Sequence, residues 1–120
     1  MSDGATLDIS RSHVEGVDVV AVEGEVDLTN ADGVHDAVVA TSAATVVLDL
    51  TAVAYLDSSG IRAIDQAHRW LASGERSLLI VSPPETPSDW TLRVAGFNRA
   101  IVLESLDAAV ASAIARSARS

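Results

Sequence analysis

Two short apolar runs constrain this chain more than anything else in it. Thr45-Val-Val-Leu-Asp-Leu50 and Ser77-Leu-Leu-Ile-Val81 are almost unbroken in aliphatic residues. A strand with one wet face alternates apolar and polar positions, whereas a run without alternation belongs to a strand covered on both sides. Each run is followed by residues at helical spacing, so helices are the natural covers. Strands that alternate with helices in this way call for a mostly parallel sheet joined by right-handed crossovers.

The remaining segments fit around that core. Leu7-Asp8-Ile9-Ser10 alternates, and His13 to Val17 contains Gly16, so a hairpin should lead into a second strand, Val17 to Val22, antiparallel at one edge. Thr29 or Asn30 is placed to cap a helix through about Ala40, with Val34, Ala37 and Val38 on its inner face. After a short loop, Ser58–Ser59 opens a second helix, whose stripe is Ile61, Ile64, Ala67 or His68, and Leu71. Arg62, Asp65, Gln66 and Arg69 face away, and Gly74 ends it.

Thr86-Pro87-Ser88-Asp89 is a strong helix start, with a threonine cap, proline at the first position and an acid in the first turn. Gly96 should close that helix. Ile101 to Leu103 reads as a last strand, and Ser105 as the cap of a final helix with Leu106, Val110, Ala113 and Ile114 inward. The order is ββαβαβαβα, an α/β fold in one domain over residues 1–120 with an ordered core of about 6–116. Only four aromatics occur, so the core must be aliphatic. Trp70 lies off the helix-two stripe and is expected partly in the core, the alternative being an exposed partner anchor.

Charge and composition then exclude whole classes of function. Seventeen acidic residues against eight basic ones give a net charge of −9, which repels phosphate backbones and anionic lipid. Nucleic acid and membrane are therefore not expected partners. There is no cysteine, hence no disulfide or thiolate metal site. The first ten residues have neither the basic nor the apolar region of a secretory signal, and no apolar stretch approaches the roughly 20 residues of a membrane span. A cytoplasmic location is expected.

The distinctive stretch runs from Leu48 to Ile61. A buried strand and a short loop lead to Asp57-Ser58-Ser59-Gly60 at a helix N-terminus. Such a terminus presents free backbone amides and a partial positive charge, a natural seat for an anion, including a phosphate carried on one of its own serines. Read from spacing alone, the same residues are a simple capping sequence, with Asp57 or Ser58 as N-cap and Gly60 easing the first turn.

Leu50-Thr-Ala-Val-Ala-Tyr-Leu-Asp-Ser-Ser-Gly-Ile61 resembles the signature of STAS domains, and in particular of bacterial anti-sigma factor antagonists. The resemblance extends to Val22-Glu-Gly-Glu-Val-Asp27, to Ala95-Gly96-Phe97 and to Val102-Leu-Glu-Ser-Leu-Asp-Ala-Ala109. It implies a partner-switching module and not an enzyme. The unphosphorylated form would bind an anti-sigma factor that is itself a serine kinase of the GHKL type, freeing a sigma factor. Phosphorylation of a motif serine, read here as Ser59 ahead of Ser58, would release it, and a serine phosphatase would reset it. By the same resemblance, Asp27, Asp57, Ser58, Gly60 and Ile61 would form the contact surface, with no cofactor and no metal. Two other readings remain open: a STAS subunit of a larger transport or stress-sensing complex without a switch, and a STAS module that senses a small ligand.

Other chemistry finds less footing. His13, His35 and His68 lack metal-ligand spacing. Leu-Asp-Ser-Ser-Gly lacks the first glycine of a nucleophile elbow. With no lysine in the chain, neither a phosphate-cradling Gly-Lys loop nor a phosphoaccepting Asp49 with a catalytic lysine is available.

Overall fold

The computed structural model describes residues 6–118, the side chain of Ala118 excepted. Its elements are β1 (Leu7–Val14), β2 (Val17–Val26), α1 (Ala31–Val39), β3 (Thr45–Leu56), α2 (Ser58–Ser73), β4 (Ser77–Val81), α3 (Pro87–Val94), β5 (Val102–Leu103) and α4 (Leu106–Ala118). A single turn of 3-10 helix, Arg99–Ile101, precedes β5. The five strands form one sheet in sequential order. β1 pairs antiparallel with β2, and every later pairing is parallel. This is the architecture the alternating elements called for. Strands laid down in one direction and joined by crossovers of one hand place α1, α2 and α3 on one face. There α1 packs on α2 and α2 on α3, while α4 packs against β3, β4 and β5.

The hairpin turns on Glu15 and Gly16, both at positive φ, which suits the right-handed twist of the strands they join. Asp18, just beyond the turn, accepts from His13 and from the amides of Ser42 and Ala43, tying the hairpin to the loop before β3. The hydrogen bond from His13, then that from Ala43, holds the Asp18 carboxyl below its ordinary range.

The core is aliphatic, as the scarcity of aromatics required. Val46, Val47, Leu48 and Leu50 of β3 and Leu79, Ile80 and Val81 of β4 are wholly buried. On α2 the inner stripe is Gly60, Ala63, Ile64, Ala67 and Leu71.

Four local expectations are corrected. The segment from Thr51 to Leu56 is not a loop but the second half of a twelve-residue β3. Its pairing with β2 survives two register shifts because Val53 and Leu56 still find the core. Neither Thr29 nor Asn30 caps α1 through its side chain: Asn30 sits at the N-cap position, but its amide group accepts from the Asp27 amide and donates to the Glu25 carbonyl. Ile114 is exposed, because Ala109, Val110 and Ala113 already cover the sheet from the small-residue side of α4. Trp70 is 58% exposed and is not a core residue.

Candidate partner-docking and modification site

The site is built where β2 and β3 end together. Val26 pairs with Leu56, and the Asp57 amide donates to the Val26 carbonyl at 3.3 Å. Asp27 and Asp57 thus leave neighbouring strands side by side at the carboxyl edge of the sheet, the edge where loops of parallel sheets gather. Each carboxylate is spent locally. Asp27 Oδ1 accepts from the Thr29 amide at 2.9 Å and from its hydroxyl at 2.6 Å. Asp57 is the N-cap of α2, and its Oδ1 accepts from the amides of Ser59 at 2.9 Å and Gly60 at 3.2 Å.

Of the two readings of this motif the capping one holds, with Asp57 rather than Ser58 as the N-cap. The Ile61 amide is taken by the Asp57 carbonyl, and two of the remaining first-turn amides by the Asp57 side chain. The anion seat read from the sequence is already filled by a carboxylate of this chain.

Gly60 is required by close approach. A Cβ built there would run into Leu56 Cδ1 and stand 2.9 Å from Val26 Cγ1, so the first turn of α2 lies directly on the ends of β2 and β3. This seating fixes where the serines point. Ser58 is exposed and Ser59 is half-buried, and neither hydroxyl makes a hydrogen bond among the described residues.

The two serines open onto different grooves. Ser58, with Ile61, Arg62, Asp65 and His68, lines a groove of about 430 Å³ between α2 and the Ala95–Asn98 loop. His68, one of its lining residues, has its Nδ1 atom buried without a hydrogen-bond partner among the described residues. Ser59 lines a smaller groove of about 170 Å³ with Leu28, Asp32, Arg62 and Gln66, between α2 and the start of α1. All the residues expected at the site, Asp27, Asp57, Ser58, Ser59, Gly60 and Ile61, therefore lie at one edge of the sheet.

Sequence reasoning missed two neighbours. Leu28 is 81% exposed beside Asp27, a large apolar side chain held in water. Its signal was an apolar residue outside any helix or strand period. Arg62 borders both grooves, and its signal was its spacing from the two serines.

Asp49 is elsewhere. It lies inside β3, accepts from the Thr51 amide and hydroxyl, and faces a groove shared with Asp8 and Glu23 on the sheet surface beside β1. Among the described residues no cluster of three or more His, Cys, Asp or Glu could hold a metal ion, and no helix is long and apolar enough to cross a membrane.

Fold and site together define a STAS-type α/β domain. The chain belongs to the STAS domain family, whose model matches residues 8–114. Among solved structures it is similar to an anti-sigma factor antagonist from Mycobacterium paratuberculosis, with 25% identity and a TM-score of 0.78 over 89% of this chain and 93% of that one. The fold is also that of the anti-sigma factor antagonist SpoIIAA in its unphosphorylated form, at 16% identity and a TM-score of 0.70, over 94% and 98% of the two chains. The phosphorylated form of the Bacillus cell fate determinant SpoIIAA matches at 12% identity and a TM-score of 0.63, over 89% and 99%. A search of curated proteins found no match.

Proposed function

We propose that this chain is a phosphorylation-gated anti-sigma factor antagonist: it binds an anti-sigma serine kinase of the GHKL type, frees a sigma factor, and is released when a motif serine is phosphorylated. A serine phosphatase would restore the binding form in the cytoplasm. The observation that carries the reading is the pair of unengaged hydroxyls on the first turn of α2, flanked by Asp27, Asp57 and the exposed Leu28. The likeness to anti-sigma factor antagonists over nearly the whole chain supports it.

The acceptor oxygen would attack the γ-phosphorus of ATP bound to the kinase, forming the Oγ–P bond as the bond to ADP breaks and the hydroxyl proton passes to a base of the kinase. A nucleophile for that step must reach out of its own protein. The exposure of Ser58 favours it over the half-buried Ser59, reversing the order read from the sequence.

The switch is large enough on physical grounds. Phosphate adds about −1.5 to −2 charges and three acceptor oxygens. An interface packed on a neutral hydroxyl would then have to desolvate a dianion, which costs several kcal/mol. Each 1.4 kcal/mol is about tenfold in affinity.

Co-purification of the native protein with its partners, followed by phosphosite mapping after addition of ATP, tests the reading. One phosphate on the Asp57–Gly60 segment, lost in Ser58→Ala, is expected; loss in Ser59→Ala instead would restore the sequence order. Unchanged mass with every co-purified kinase would refute the switch.

A further inference from the structure

We propose that Arg62 is the internal counter-ion of the phosphoserine, the side chain that receives the phosphate once it is attached. The inference rests on the serine switch proposed above and adds how this chain accommodates the modified state.

A dianion on Ser58 or Ser59 needs compensation, and the usual source is closed. The Ser59, Gly60 and Ile61 amides, which could otherwise help to cradle it, are held by Asp57. The charges around the two hydroxyls are otherwise negative: Asp57 on the turn itself, Asp27 at the adjoining strand end, Asp32 across the Ser59 groove and Asp65 along the Ser58 groove. The other arginines near this end of the molecule are committed. Arg69 pairs with Asp65 at 3.0 Å, and Arg93 and Arg99 both hold Asp89 at 3.0 Å.

Arg62 is exposed and makes no ion pair or side-chain hydrogen bond among the described residues. It stands four residues after Ser58 and three after Ser59, the two spacings at which helix side chains meet, with Cβ atoms about 5–6 Å apart. It lines the Ser58 groove and the Ser59 groove alike. A guanidinium at that distance presents a planar fork of donors that matches two phosphate oxygens. The same arginine therefore serves a phosphate on either hydroxyl.

The experiment places phosphoserine at position 58, and separately at 59, by encoded incorporation into the full chain, so that no kinase is needed. The second ionisation of the phosphate is followed by ³¹P NMR. In the otherwise unaltered chain it should lie roughly 0.15–0.4 units below its position in Arg62→Gln. Arg11→Gln removes the same charge from an exposed site on β1 and controls for net charge, and it should move the titration by much less. Arg62→Lys should restore part of the shift, since the charge returns without the fork. Equal titrations in Arg62→Gln and the parent, or equal displacement by Arg62→Gln and Arg11→Gln, would overturn the assignment. A failure of kinase labelling would refute the switch while leaving this titration intact, so the two ideas can fail separately.

Discussion

In the first turn of α2 the Asp57 carboxylate receives the Ser59 amide at 2.9 Å and the Gly60 amide at 3.2 Å through a single oxygen. One side chain thereby starts the helix and fixes the position of both serines on it. Asp57→Ala should lose about 0.5–2 kcal/mol of stability, read as a lower urea midpoint with unchanged slope. Asp57→Asn keeps an accepting oxygen and should lose only part of that. A variant as stable as the parent would mean that the backbone alone sets the turn.

Gly60 makes the same point through packing. Because a Cβ there meets Leu56 and Val26, Gly60→Ala must either lift α2 off the sheet or displace two buried side chains. Overpacking of this kind costs about 1–3 kcal/mol. Gly33 is the control, since nothing lies within 4 Å of a Cβ at that position. Gly33→Ala, within α1, should leave stability equal or raise it by a few tenths of a kcal/mol up to about 1 kcal/mol. If both glycines tolerate alanine equally in thermal melts, the seating of α2 is softer than its geometry shows.

Leu28 offers a test of the docking face that leaves the fold alone. At 81% exposure it contributes little to the core, so Leu28→Ala should not move the unfolding midpoint. If the partner covers it, the substitution should weaken binding by about 1–2 kcal/mol, or roughly tenfold, measured by titration calorimetry. Undiminished affinity would move the contact surface away from the Ser59 groove.

The fold could be read because its strongest signals are long and local. The unalternating runs of β3 and β4 exist because both faces are covered, and a threonine followed by proline and an acid marks the start of α3 wherever it occurs. What escaped the reading depended on partners distant in sequence. Thr51 to Leu56 carries two alanines, weak strand formers, and breaks the mostly aliphatic run of Val46 to Leu50; pairing with the far end of β2 makes it strand. Asn30 looked like a cap but is drawn back to Glu25 and Asp27, a contact no helix periodicity encodes. At the site, the residue types and their spacing along the chain were legible. That Asp57 or Ser58 caps the helix was legible too; that Asp57 is the one, and that Arg62 is left without an ion pair beside it, was not, since both turn on which atom each carboxylate faces.

Acid sensitivity should centre on Asp89, the buried acid of α3. Its carboxylate takes Arg93 on one oxygen and Arg99 on the other, each at 3.0 Å, joining α3 to the turn before β5. Burial pushes its pKa up, but the two guanidinium hydrogen bonds and the Glu85 amide outweigh that and leave it below the ordinary carboxylate value. The folded state therefore binds this proton more weakly than the unfolded chain does. The contribution is fully present above the unfolded value of about 4 and is lost as the pH falls through the lowered native value. Asp89→Asn should cost about 1–2 kcal/mol at pH 7, where the partly exposed arginines lose a charged acceptor. The gap between parent and variant in urea midpoints should then narrow steadily between pH 5 and the most acidic condition at which both remain folded. A gap that stays constant across that range would show the carboxylate to be held by shape and not by its charge.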